Sequence, residues 1–162
     1  MRIVNFAPTA LQLINFIIKI FSMNDVDKNN LDSTSFFISF QIMMLKNEIE
    51  EKRKIDKFFF LKDDWIFGYI NGVCSLSFEL FKQQPSFKLS YLNVYVLQNN
   101  NFLGKKEEDI KALTEMLQKM KSNINDFAES IIIGKEDLIS FKKDKKYPSS
   151  LHNYLSNIFN KK

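Results

Sequence analysis

Asp64-Trp65-Ile66-Phe67-Gly68-Tyr69-Ile70-Asn71-Gly72-Val73-Cys74-Ser75-Leu76-Ser77-Phe78-Glu79-Leu80-Phe81 is the stretch on which the fold of this 162-residue chain turns. Read as a helix, it begins on the acidic pair Asp63 and Asp64, whose charge suits the positive end of a helix dipole. Gly68, Gly72 and Ser75 then form a stripe of small residues along which a second helix can approach closely. Read as strands, Asn71-Gly72 is a two-residue hairpin turn, and Leu76, Phe78 and Leu80 alternate with Ser75, Ser77 and Glu79 at a period of two. Residues 87–97, with Val94, Tyr95 and Val96, share that strand character. The helical reading is preferred because Gly68 and Gly72 fit one face four residues apart, whereas Gly68 would weaken the middle of a strand. The expected fold is therefore all-α, a compact bundle of five to seven helices forming a single domain over residues 1–162. The alternative is α+β, with an antiparallel meander at 58–97 packed on helices.

Composition leans the same way. The chain has only four Gly and three Pro, too few for the many tight turns of a β-sandwich or barrel. Apolar residues make up 45% and include 17 Phe, enough for a core without disulfides or metal.

On the N-terminal side of the deciding stretch, Pro8 and Thr9 start a helix with Leu11, Ile14, Ile17, Ile18 and Phe21 on one face. Asn5, Pro8, Gln12, Asn15 and Lys19 interrupt the apolar run, and no small-residue cleavage site follows Phe21. A buried or partner-facing helix is therefore expected rather than a signal peptide or a membrane span. Asn24 to Asn30 reads as a polar loop. Asp32 or Ser33 can cap a second helix, apolar all round from Phe36 to Leu45 and charged from Lys46 to Lys57. In its charged half Glu48 and Lys52, and Glu50 and Lys54, stand at supportive i, i+4 spacing. Phe58-Phe59-Phe60 is expected to contribute to a wide buried face, the other reading being an exposed partner patch.

On the C-terminal side, Pro85 and Ser86 open a helix that ends near Gly104. Ile110, Leu113, Leu117, Met120, Ile124, Phe127 and Ile131 alternate spacings of three and four, a heptad seam. With Glu107, Glu108 and Asp109 in its first turn and Gly134 past its end, this seam predicts one continuous helix. A short amphipathic piece, Lys135 to Lys142, precedes a lysine-rich turn. Pro148-Ser149-Ser150 then starts a last helix with Leu151, Tyr154, Leu155, Ile158 and Phe159 on its apolar face.

Residues able to do chemistry are few. Cys74 and His152 are the sole members of their types, which rules out the usual zinc sets. Cys74 lies in an apolar run, and His152 falls off the apolar face of its helix, so no activated thiol is expected. Asp25-Val26-Asp27-Lys28-Asn29 resembles the opening of a calcium loop, but Asn30 and Phe36 stand where the turning Gly and the closing Glu belong. The carboxylate groups Glu107-Glu108-Asp109 and Glu136-Asp137 both fall at expected helix starts, which explains them without catalysis. Glycines at 68, 72, 104 and 134 assemble no phosphate-binding loop. No cofactor, metal or enzymatic activity is expected.

Residues 135–162 hold seven Lys and three acids, so the C-terminal end accounts for the chain's whole net charge of +4. Lys142, Lys143, Lys145 and Lys146 cluster around Asp144 beside Tyr147, a candidate basic surface patch. Gly68, Gly72 and Ser75 are candidates for close helix packing within the chain, or for a dimer contact.

Phe67-Gly68-Tyr69-Ile70-Asn71-Gly72-Val73 resembles a Gly-Tyr-Ile-X-Gly stretch of small helical immunity proteins that neutralise secreted bacterial amidases. Those proteins carry disulfide cysteines and a signal peptide, which this sequence does not match, so the resemblance transfers no functional residue. The expected function is a non-enzymatic protein-interaction or regulatory module. It would engage another protein, or itself, through an apolar helix face in the reducing cytoplasm that a lone cysteine suits. The alternatives are a nucleic-acid-binding module using the lysine-rich end and a small bacterial immunity or effector-like protein.

Overall fold

The computed structural model describes residues 25–80 and 89–161. The helix expected from Pro8 and the start expected at Pro85-Ser86 lie outside them. The described residues fold as an all-α bundle: α1 (Asp25–Ile42), a 3-10 turn (Met43–Leu45), α2 (Lys46–Ile55), α3 (Phe59–Lys62), α4 (Asp64–Leu80), α5 (Leu89–Asn99), α6 (Glu107–Ser122), α7 (Ile124–Asp144) and α8 (Ser150–Asn160). There is no strand among them, so the meander alternative falls.

The deciding stretch, as far as Leu80, is helix α4, and its first turn is held by a side chain. Asp63 is extended and its Oδ1 accepts the Ile66 N–H at 2.9 Å, satisfying one of the donors a helix start leaves open. Ile66, Phe67, Tyr69, Ile70, Val73 and Cys74 are all buried, which makes α4 the central helix. Its most extensive pairing is with α7. A Cβ on Gly68 would lie 3.1 Å from the Phe127 carbonyl oxygen, and one on Gly72 would lie 2.9 Å from Ile131 Cα. Gly134 answers from α7, where a Cβ would lie 3.2 Å from the Tyr69 carbonyl carbon. The glycines therefore serve close packing inside the chain. Ser75 is half-buried, and its hydroxyl turns to Asn71 Oδ1 in its own helix.

Several boundaries differ from expectation. Asp25 to Asn30 is helical, continuous with α1. Leu31, Thr34, Ser35, Phe37, Ile38 and Gln41 are buried at helical spacing, so packing overrides the weak helix propensity of Asp and Asn. This also removes the calcium-loop reading, since the Asp25–Asn29 backbone is that of a helix rather than a turning loop. The heptad seam is cut at Asn123, whose φ of −131° and ψ of 52° end α6. Leu113 and Met116 of α6 are buried, and α6 packs on α3, whereas Phe127 of α7 packs towards α4. Ile124, at the seam position beside the break, is 51% exposed. Gly134 consequently lies inside α7, and Glu136-Asp137 in its interior rather than at a helix start. The left-handed residue that ends α7 is Lys145, at φ 55° and ψ 24°.

The second helix expected to run on to Lys57 is interrupted by the 3-10 turn at Met43–Leu45, and α5 ends at Asn99 rather than near Gly104; elsewhere the patterning holds. α2 buries only Ile49 and stands in solvent as its charge implies. Its ion pairs are Lys46–Glu50 at 3.9 Å and Glu51–Lys54 at 2.5 Å rather than the pairs the spacing suggested. Phe60 is buried and stacks on Phe102 at 4.8 Å, while half-buried Phe58 and Phe59 lie beneath the ammonium groups of Lys57 and Lys52. α8 buries Leu151 and Leu155 as its apolar face predicts.

Candidate functional site: an aromatic cleft at the lysine-rich end

The lysine cluster sits at the C-terminal end of α7. Lys142 and Lys143 occupy the last turn, where positive charge complements the exposed carbonyls. All four lysines are exposed. Lys145 also lines a cleft of about 400 Å³, together with Phe36, Phe37 and Phe40 of α1, Phe141 of α7, and Tyr147 and Pro148 of the following linker.

Helical spacing places the aromatic rings. Phe36, Phe37 and Phe40 share a turn of α1, with Phe37 buried as the floor and Phe36 65% exposed at the rim. Phe37 meets Phe141 edge-on at 5.6 Å. Phe40 stacks on Tyr147 at 5.4 Å and lies 6.3 Å from Phe36, so the rings form a continuous wall. Tyr147 is 69% exposed.

A buried polar clamp fixes the linker that carries Tyr147. Gln41 Nε2 donates to the Tyr69 hydroxyl at 2.8 Å, and that hydroxyl donates to Asp137 Oδ2 at 2.8 Å. Gln41 Oε1 accepts the Leu151 N–H at 3.0 Å, and Asp137 Oδ2 faces the Ser150 N–H at 3.4 Å. Helix α8 is thus capped from α1 and α7 instead of by Ser149, whose side chain makes no cap bond. Burial, and then Asp137, push the Tyr69 hydroxyl far above its usual range, so it remains a donor. His152 Nδ1 lies 3.2 Å from the Gln41 carbonyl oxygen at the edge of this clamp.

A second anchor joins α8 to the start of α4. Trp65 stacks between Tyr69 at 5.4 Å and Tyr154 at 4.1 Å, and the Tyr154 hydroxyl reaches both Asp63 oxygens at 3.2 Å. Burial and the Asp63 charge raise that hydroxyl to about 12.

The remaining sequence candidates take structural places. Cys74 is fully buried, and burial pushes its thiol well above the usual range, the reverse of an activated nucleophile. Asp109 reaches back to the Lys106 N–H at 2.9 Å and pairs with Lys57 at 2.7 Å. Among the described residues, no three His, Cys, Asp or Glu side chains stand together as metal ligands. Nor is any described helix long and apolar enough to cross a membrane.

The cleft was only half visible in the sequence. Tyr147 stood beside the lysines, and Phe36 and Phe40 belonged to a helix apolar on all sides. What joins them is the packing of α1 against the end of α7, more than a hundred residues away. Comparison with protein-family models, curated proteins and solved structures found no match.

Proposed function

We propose that this protein is a non-enzymatic binding module whose receptor site for a protein partner is the Phe36–Phe40–Tyr147 cleft. The observation that carries the reading is the pair of exposed aromatic rings, Phe36 and Tyr147, bordering a cleft of about 400 Å³ with buried Phe37 at its floor. Exposed rings that border a pocket and have fixed partners lose little side-chain entropy on binding, which is what makes aromatics effective interface anchors. The fully buried thiol of Cys74 supports a non-catalytic role for that residue.

A photo-crosslinking benzoylphenylalanine placed at position 36, in cells of the source organism, tests the proposal. A discrete protein adduct is expected there and none from the same residue at Glu115, which is exposed on α6. No adduct at position 36, or the same adducts from both positions, would show that the cleft is not a receptor.

A further inference from the structure

We infer that the occupant of the cleft is a partner helix or peptide segment presenting large apolar side chains flanked by carboxylates. This rests on the receptor reading above and adds the chemistry of the partner. The wall is largely apolar: Phe36, Phe37, Phe40, Phe141 and Pro148 bring no hydrogen-bonding side-chain atom into it, and Tyr147 adds a single hydroxyl. An apolar side chain gains by burial there, whereas the floor around Phe37 offers no hydrogen-bonding partner to the polar edge of an inserted base. The rim is basic. Lys145 lines the cleft, Lys142 and Lys146 adjoin the lining residues Phe141 and Tyr147, and Asp144 is the one acid in the run 142–147. Such a rim attracts an acidic segment and disfavours a basic one.

Charge also separates the possible occupants. The chain's own first 24 residues carry Arg2 and Lys19 and no carboxylate, so they lack the matching sign. A symmetric contact between two copies centred on the cleft would set lysine rim against lysine rim. A nucleic-acid strand matches the sign of the rim and can stack bases on exposed rings, so an oligonucleotide is an arm of the test.

Lys145 supplies a test that separates binding from folding. It holds a left-handed backbone, φ 55°, which glycine adopts freely and lysine does not. Lys145→Gly therefore removes a rim charge without loss of the fold. The probe is a fluorescein-labelled amphipathic peptide with Phe and Leu at i, i+3 and i+4 between Glu residues, read by fluorescence anisotropy on the full chain. A matched peptide with Lys for Glu and a single-stranded oligonucleotide are run beside it. The Glu peptide is expected to bind, to weaken as salt rises, and to weaken by about fivefold in a Lys145→Gly, Lys146→Glu double variant. Phe36→Asp, on an exposed position, is expected to abolish binding with the thermal midpoint little changed. Equal binding of the Lys peptide, or binding of the oligonucleotide alone, would overturn the acidic-segment assignment, as would no binding of the Glu peptide. If the position-36 adduct still forms, those failures overturn this inference alone; if it is also missing, the receptor reading falls with it.

Discussion

At Gly72 the backbone of Ile131 is so near that a methyl group has no room, and the obstacle is main chain rather than a movable side-chain tip. Alanine would gain roughly 1 kcal/mol of helix propensity, yet overpacking against main chain falls at the upper end of the usual cost, about 3 kcal/mol. Gly72→Ala is therefore expected to lower stability by about 2 kcal/mol in urea denaturation, and an unchanged midpoint would contradict the close α4–α7 approach. Lys145 presents the opposite case. Its side chain is exposed, but its backbone adopts a conformation that costs an L-residue about 1 kcal/mol. Lys145→Gly is expected to raise stability by about that amount, less what glycine loses in unfolded-chain entropy. One substitution towards glycine and one away from it thus have predictable and opposite signs, because the two sites differ in what surrounds the Cβ.

Element by element, periodicity located helices better than it located their ends. The apolar face of α8 and the central placement of α4 follow from residue spacing and small-residue positions that any reader of the chain can see. The break at Asn123 does not, because the seam from Ile110 to Ile131 is regular through it. The interruption arises where α6 and α7 take different partners, which is tertiary information. Likewise, nothing near Ser149 announces that the first turn of α8 is satisfied by Gln41 and Asp137, residues 110 and 13 positions from those they serve. A glutamine in an apolar helix was the one available signal, since buried amides must find partners. The cleft was hidden for the same reason: its rings come from two ends of the chain. Gln41→Met keeps the side chain's length but orphans the Leu151 N–H and removes a donor to Tyr69. It is expected to cost about 2 kcal/mol, with amide exchange accelerated first in the opening turn of α8. Exchange that quickens uniformly across the bundle would mean the clamp does not hold that element specifically.

For the molecule as a whole, two carboxylates give stability a shape in pH. Burial raises Asp63 above its ordinary value of 3.8, against the lowering pull of the Ile66 N–H and the Tyr154 hydroxyl. Asp109 is also pushed upward by burial, but the Lys57 ammonium and the Lys106 and Gly104 backbone outweigh it and leave the carboxyl below 3.8. The linkage signs are therefore opposite. Asp63 takes up a proton more readily folded than unfolded, so its contribution increases as pH falls through its raised value and is lost as pH rises through it. Asp109 contributes stability that is complete above 3.8 and disappears as pH falls through its lowered value. Together they imply a gain on mild acidification followed by a loss in stronger acid. Each part can be isolated as the difference between the wild-type profile and a variant's, since the other carboxylates are common to both. Asp63→Asn retains a side-chain oxygen for capping α4 and is expected to flatten the rise. Asp109→Asn removes the pair with Lys57 and is expected to lower stability at neutral pH while converging on wild type in strong acid. A difference profile for Asp109→Asn that stays constant down through the acid range would show that the carboxylate's charge does not contribute to holding α6 against Lys57.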